Sequence, residues 1–296
     1  MRTWVYLPLL LSVALPWASR WMSARAAPSL AARTVAAAAV VAGTASVCCL
    51  ALLALTLFDD LPPLSAYDHR PDLGLPKPVP GWVALAAAVL LLAGSVRLGR
   101  LVRIRMRVLG DLRQLGRPNA GLVIADSPEP FAVAVPGRPG HILMTSGMLR
   151  LLDVDERRVL FAHEQAHLAR GHHRLVSAAA WAAAVNPLLR PMASLVSHLV
   201  ERWADEDAAA EVGDRELVAR AVAKASLAGS HRRFEPAMGL HGAGAVQRVS
   251  ALIAPRRQHS WRDPIAVVGL SVSLLAAVAV AVLEFVEVAE EWLALL

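Results

Sequence analysis

The residues best suited to chemistry lie in Phe161-Ala-His163-Glu164-Gln-Ala-His167-Leu-Ala-Arg170. The stretch reads His-Glu-x-x-His among helix-forming residues. On a helix, positions i and i+4 share a face, so His163 and His167 can offer two imidazole nitrogens to one metal ion. Glu164, one residue on, stands close to that ion without having to bind it. Two ligands and a carboxylate able to take a proton from water are what a zinc hydrolase requires. The bland alternative is a buried helix whose two histidines are merely hydrogen-bonded. A third ligand downstream argues against it.

Catalytic zinc usually has three protein ligands and one open position. Glu201, in Leu199-Val-Glu201-Arg-Trp-Ala-Asp205, is one candidate for the third. Glu201 and Asp205 are again i and i+4, so Glu201 can bind the ion while Asp205 orients a ligand histidine from behind. His173 is the rival. A histidine there calls for glycine at 170 to turn the chain, and 170 is Arg with Gly171 following. His172 and His173 read as interfacial or solvent-facing beside Arg170 and Arg174. His198 is either an alternative ligand or a neighbour of Glu201. The sequence expects one Zn2+ per chain on His163, His167 and Glu201, with Glu164 catalytic.

His163-Glu-x-x-His167 followed by Glu201-Arg-Trp-Ala-Asp205 resembles the membrane-bound gluzincin metallopeptidases. These include the BlaR1/MecR1-like (M56) family and the related HtpX/CAAX-protease-like (M48) family. Phe131 to Leu152 looks like the strand, turn and strand that lead into the zinc helix there. Asn186-Pro187 leans toward the BlaR1/MecR1-like branch. The resemblance covers about residues 105–215 and the layout of membrane helices. It implies a zinc endopeptidase with a minigluzincin domain. It also implies a protein or peptide substrate, either a transcriptional repressor in signalling proteolysis or misfolded membrane proteins in quality control. No penicillin-binding sensor segment follows the last apolar block, so antibiotic sensing does not carry over.

These residues need elements to hold them, and composition says what kind. Of 296 residues, 56% are hydrophobic, and the mean hydropathy is +0.48. The apolar residues fall in blocks at 4–18, 35–58, 81–98 and 264–283, so the expected class is a mainly α membrane protein with four transmembrane helices. A cytosolic α+β zinc-protease domain with a small β-sheet accompanies them. The expected organisation is three membrane helices in 1–104, a metallopeptidase domain in 105–262 with a membrane-associated apolar hairpin at 175–200, and the last span with an acidic tail in 263–296.

The formal charge is +6 and almost wholly arginine, with Lys77 and Lys224 the only lysines. High Ala and Arg with little Lys points to a GC-rich bacterial genome. The arginines flank apolar blocks, where they set topology and touch anionic lipid, so no direct nucleic-acid partner is expected. Arg20, Arg25 and Arg33 put 19–34 inside, and Arg97, Arg100, Arg103, Arg105 and Arg107 put the chain after 99 inside. The N-terminus and the aspartate-bearing 59–80 loop are then outside, and the site is cytosolic at the bacterial plasma membrane. A cleaved signal peptide ending near Ser23-Ala-Arg-Ala26 would reverse this, stranding the five arginines outside. A transporter would need ionisable residues within its spans, and 35–57, 81–96 and 264–283 have none. A non-enzymatic scaffold has no use for Glu164. Adjacent Cys48 and Cys49, inside an apolar run, read as small fillers.

Short β-branched runs at Gly121-Leu-Val-Ile-Ala and His141-Ile-Leu-Met-Thr predict strands, with turns at Pro118-Asn119 and Pro136 to Gly140. An edge strand beside a zinc site can hold an extended peptide by backbone hydrogen bonds. Asp153 or Asp155 is expected to cap the zinc helix.

Overall fold

Alanine is the commonest residue of Pro28–Leu55, and a helix rich in small residues lets its neighbours approach closely. That helix (α2) is the axis of the molecule's larger core. The structure, a computed structural model, describes residues 7–58, 79–228 and 244–254, with isolated helical positions between 265 and 286. The expected span at 264–283 therefore lies largely outside the described residues, as do the 59–78 loop, His231 to Arg233 and His241.

α1 (Leu7–Ser23) and α2 are followed by α3 (Gly81–Gln114), which runs unbroken through positions 104 and 105. Three strands come next: β1 (Leu122–Ala125), β2 (Ala132–Val135) and β3 (His141–Thr145). They form one sheet in the order β1-β3-β2, with β1 parallel and β2 antiparallel to β3. The helices α4 (Ser146–Leu151), α5 (Val154–Arg170), α6 (His172–Val185), α7 (Arg190–Val212), α8 (Arg215–Ala228) and α9 (Ala245–Ile253) complete the order.

Alternation places the sheet between two helices. Val123, Val133 and Leu143 face Leu112 of α3, while Ile142 and Met144 face Met148, Leu160 and Leu168 on the side of α5. Among the described residues, α2 and α3 are long and apolar enough to cross a membrane. Residues 7–18 of the expected first span lie in α1, which is 17 residues long. α3 is the more naked of the two long helices: Trp82, Leu85, Val89, Leu90 and Leu92 are all exposed.

The 175–200 stretch folds as a hairpin. α6 and α7 lie on α2, joined by a 3-10 turn at Pro187–Leu189. Asn186 caps that turn by accepting from the Leu188 amide, and its side-chain amide donates to buried Ser46 Oγ of α2 at 2.8 Å. Two glycines set the fit. A Cβ on Gly43 would stand 3.0 Å from the Ala182 methyl, and one on Gly94 would stand 3.2 Å from the Val185 carbonyl oxygen. Arg97 donates to the Ala184 carbonyl, which fastens α3 to the same hairpin.

Candidate metal centre

α5 begins with a capping box. Asp153 accepts from the Glu156 amide at 2.8 Å, and Glu156 accepts from the Asp153 amide at 3.0 Å. Asp153, not Asp155, is therefore the cap. Glu156 also pairs with Lys224 of α8 at 2.7 Å, which ties the start of α5 to the rest of the domain. α5 stops at Gly171, whose φ of 64° is left-handed and suits glycine. The two ends fix the helix, and the helix aims His163 and His167 the same way.

α7 crosses α5 and supplies the rest. His163 Nε2 and His167 Nε2 are 3.1 Å apart, and each is 3.5 Å from one oxygen of Glu201. All the donor atoms of this trio lie within 4.8 Å of one another. Three ligands about 2.0–2.1 Å from a tetrahedral ion stand about 3.3 Å apart, so the trio fits a zinc-sized cation. It brings together two imidazoles and a carboxylate, a donor set that suits zinc. Asp205 is almost fully buried, and its Oδ1 is 3.0 Å from His163 Nδ1, on the side of the ring away from the cluster. His173 is not part of the trio; its backbone carbonyl accepts from Arg105.

Electrostatics distinguishes the two imidazoles. Burial disfavours charge on His163, but Asp205 and Glu201 outweigh it and push the ring up to about 10. His167 goes the other way, down to about 4, chiefly by burial and against the pull of Glu201. Glu201 and Asp205 are held below the usual carboxylate range despite burial, Glu201 mainly by Arg248 and Asp205 by Arg248 and His163.

Glu164 is buried beside the trio. Burial raises its pKa, Glu201 adds to that, and His163 opposes it. The Ala134 backbone of β2 also opposes the rise. Among the described residues β2 has a partner on one side only, so the edge facing Glu164 is the open edge of the sheet.

Two residues escaped sequence reasoning. Arg248, on α9, reaches Glu201 Oε2 at 2.9 Å with one nitrogen and grips both oxygens of Asp205 at 2.7 Å with two others. Nothing local marks it, because its partners are 43 or more residues upstream. His172 was expected at an interface or in solvent, but it is 1% exposed. Its Nδ1 is 3.1 Å from His167 Nδ1, and burial first, then His167, lowers it to about 3. The left-handed Gly171 turns the chain so that His172 folds back on α5; that glycine was the available signal.

A family model described as Peptidase family M48 matches residues 100–262, a stretch that contains the sheet, α5, the hairpin and α7. No curated protein and no solved structure matches the chain.

Proposed function

The chain belongs to peptidase family M48, a family of metallopeptidases, and from that premise we propose that it is an integral-membrane, zinc-dependent endopeptidase working at the cytosolic membrane face. The observation that carries this reading is the convergence of His163, His167 and Glu201 with buried Glu164 beside them. His163, His167 and Glu201 would hold the ion, which when bound would lower the pKa of water toward about 7 and polarise a peptide carbonyl. Glu164 takes a proton from the attacking water and passes it to the leaving amine. Asp205 keeps His163 oriented through Nδ1.

The open edge of β2 suits an extended peptide, which would pair with it by backbone hydrogen bonds across the site. Such binding asks little of the substrate's side chains.

Four membrane helices, at 4–18, 35–58, 81–98 and 264–283, frame a metallopeptidase domain at 105–262 in this reading. The exposed apolar face of α3 supports it, as lipid would cover those side chains. The 175–200 hairpin lies against α2 and α3, level with Gly94 and just before Arg97, where the basic inner flank begins. On this reading the metal site lies close beneath the bilayer.

Membrane-protein quality control, as in the HtpX-like branch, is favoured by the M48 match. Regulatory cleavage of a repressor, as in the BlaR1/MecR1-like branch, rests on Asn186-Pro187, and that step also has a local duty as a turn cap. The test is cleavage of an unstructured protein by the detergent-purified full chain, with and without zinc, beside Glu164→Gln. Zinc-dependent cleavage that the variant lacks supports the assignment. A full chain that holds no zinc overturns it.

A further inference from the structure

Three imidazoles lie in line at the α5–α6 junction, and the metal reading uses only two. His167 turns Nε2 toward His163 and Glu201 and Nδ1 toward His172. A metal on Nε2 needs the lone pair there, so the single proton of neutral His167 must sit on Nδ1. The atom facing that proton, 3.1 Å away, is His172 Nδ1.

His172 then has to accept, which puts its own proton on Nε2. That nitrogen is buried and, among the described residues, has no hydrogen-bond partner. A buried donor without a partner is costly, so the ring is not held in place from that side. It is held from the Nδ1 side and by packing. Trp203 lies against it with ring centroids 4.6 Å apart. Trp203 is itself clamped by the Arg33 guanidinium of α2, 4.7 Å from its ring.

We propose that His172 is a positioning residue, which accepts a hydrogen bond from His167 Nδ1 and so holds His167 in the tautomer and orientation that a metal ligand needs, with Trp203 and Arg33 bracing it. Each imidazole of the metal trio thus has a neighbour behind it: a carboxylate oxygen of Asp205, 3.0 Å from His163 Nδ1, and a neutral imidazole behind His167. The inference rests on the metal reading of the site given above.

The test uses the full chain in detergent, stripped of metal and titrated with zinc against a chromogenic chelator. Cobalt absorption reports the ligand geometry, and metal-free melting reports the fold. Asn carries its side-chain oxygen where His carries Nδ1; Gln carries it about where His carries Nε2; Leu carries no acceptor. His172→Leu is expected to weaken zinc binding by about 10–100-fold and to alter the cobalt spectrum. His172→Asn is expected to stay within a few-fold of the unaltered protein and to keep its spectrum. Leu binding as well as the unaltered protein overturns the proposal, and so does Asn binding as poorly as Leu. Should the Leu variant not fold, Asn against Gln decides, and Gln binding more tightly than Asn overturns it. An unaltered protein without zinc would overturn the metal site itself, an outcome distinct from these.

Discussion

Replacing Arg248 with Leu tests the electrostatic account of the site. The guanidinium lies 2.7–2.9 Å from Glu201 and Asp205, and its side chain is 16% exposed. Its removal leaves two buried carboxylates without their guanidinium partner. Breaking a buried ion pair from one side costs about 3–5 kcal/mol. For a chain of this size each kcal/mol lowers the melting temperature by about 2–4 °C, so the metal-free variant should melt about 6–20 °C lower. Zinc changes the comparison. A divalent cation on Glu201 supplies the missing positive charge, and Asp205 keeps His163. The gap between variant and parent should therefore shrink in saturating zinc, and the variant should bind zinc no more weakly. The assay is thermal melting by circular dichroism in detergent, with EDTA and then with zinc. An equal gap in both conditions, or a metal-free loss below about 2 °C, would refute the reasoning.

Three further outcomes follow from the packing. Gly43→Ala places a methyl 3.0 Å from Ala182 and should cost about 1–3 kcal/mol, seen as a lower melting temperature. Gly99→Ala, with nothing within 4 Å of the new Cβ, should leave melting unchanged or raise it; equal losses at both positions would sink the close-packing argument. Asp153→Ala removes the cap of α5 and should cost about 1 kcal/mol, against little for Asp155→Ala, measured by the same melts. His141 is held below its usual pKa by burial and by Arg113, so its neutral form is favoured in the fold. Its contribution is present in full above about pH 6.5 and is lost as pH falls through that value toward the lower folded pKa. Melting followed from pH 7.5 to pH 5 should fall less steeply for His141→Gln than for the parent; parallel curves would discard this source of acid sensitivity.

Spacing made the core of the site legible. His163 with His167 and Glu201 with Asp205 are both i, i+4 pairs, and one helical face each is all that the geometry asks. Two strands were legible from β-branched runs between turn residues, and the structure places them at 122–125 and 141–145; the third, at 132–135, was expected only from the family resemblance. What stayed hidden depends on chain reversal. His172 is five residues past His167, off its face on a continuous helix, and only the left-handed Gly171 brings it back. Arg248 reaches the site from α9, and no periodicity in α5 or α7 anticipates it. The apolar content of α2 marked it as a span, but the half buried by α6 and α7 could not be told from composition. The basic run after Arg97 reads as a topological signal, yet it continues one helix as far as Gln114.

That continuity of α3 has a mechanical side. Thirty-four residues make a rod about 50 Å long. Near its middle it is pinned to the hairpin by Gly94 and Arg97, and at its far end Leu112 packs on the sheet while Arg113 donates to the Pro136 carbonyl. A rod pinned near its middle is a lever. A tilt of the exposed apolar arm swings the other arm, and with it the sheet whose open edge stands over Glu164.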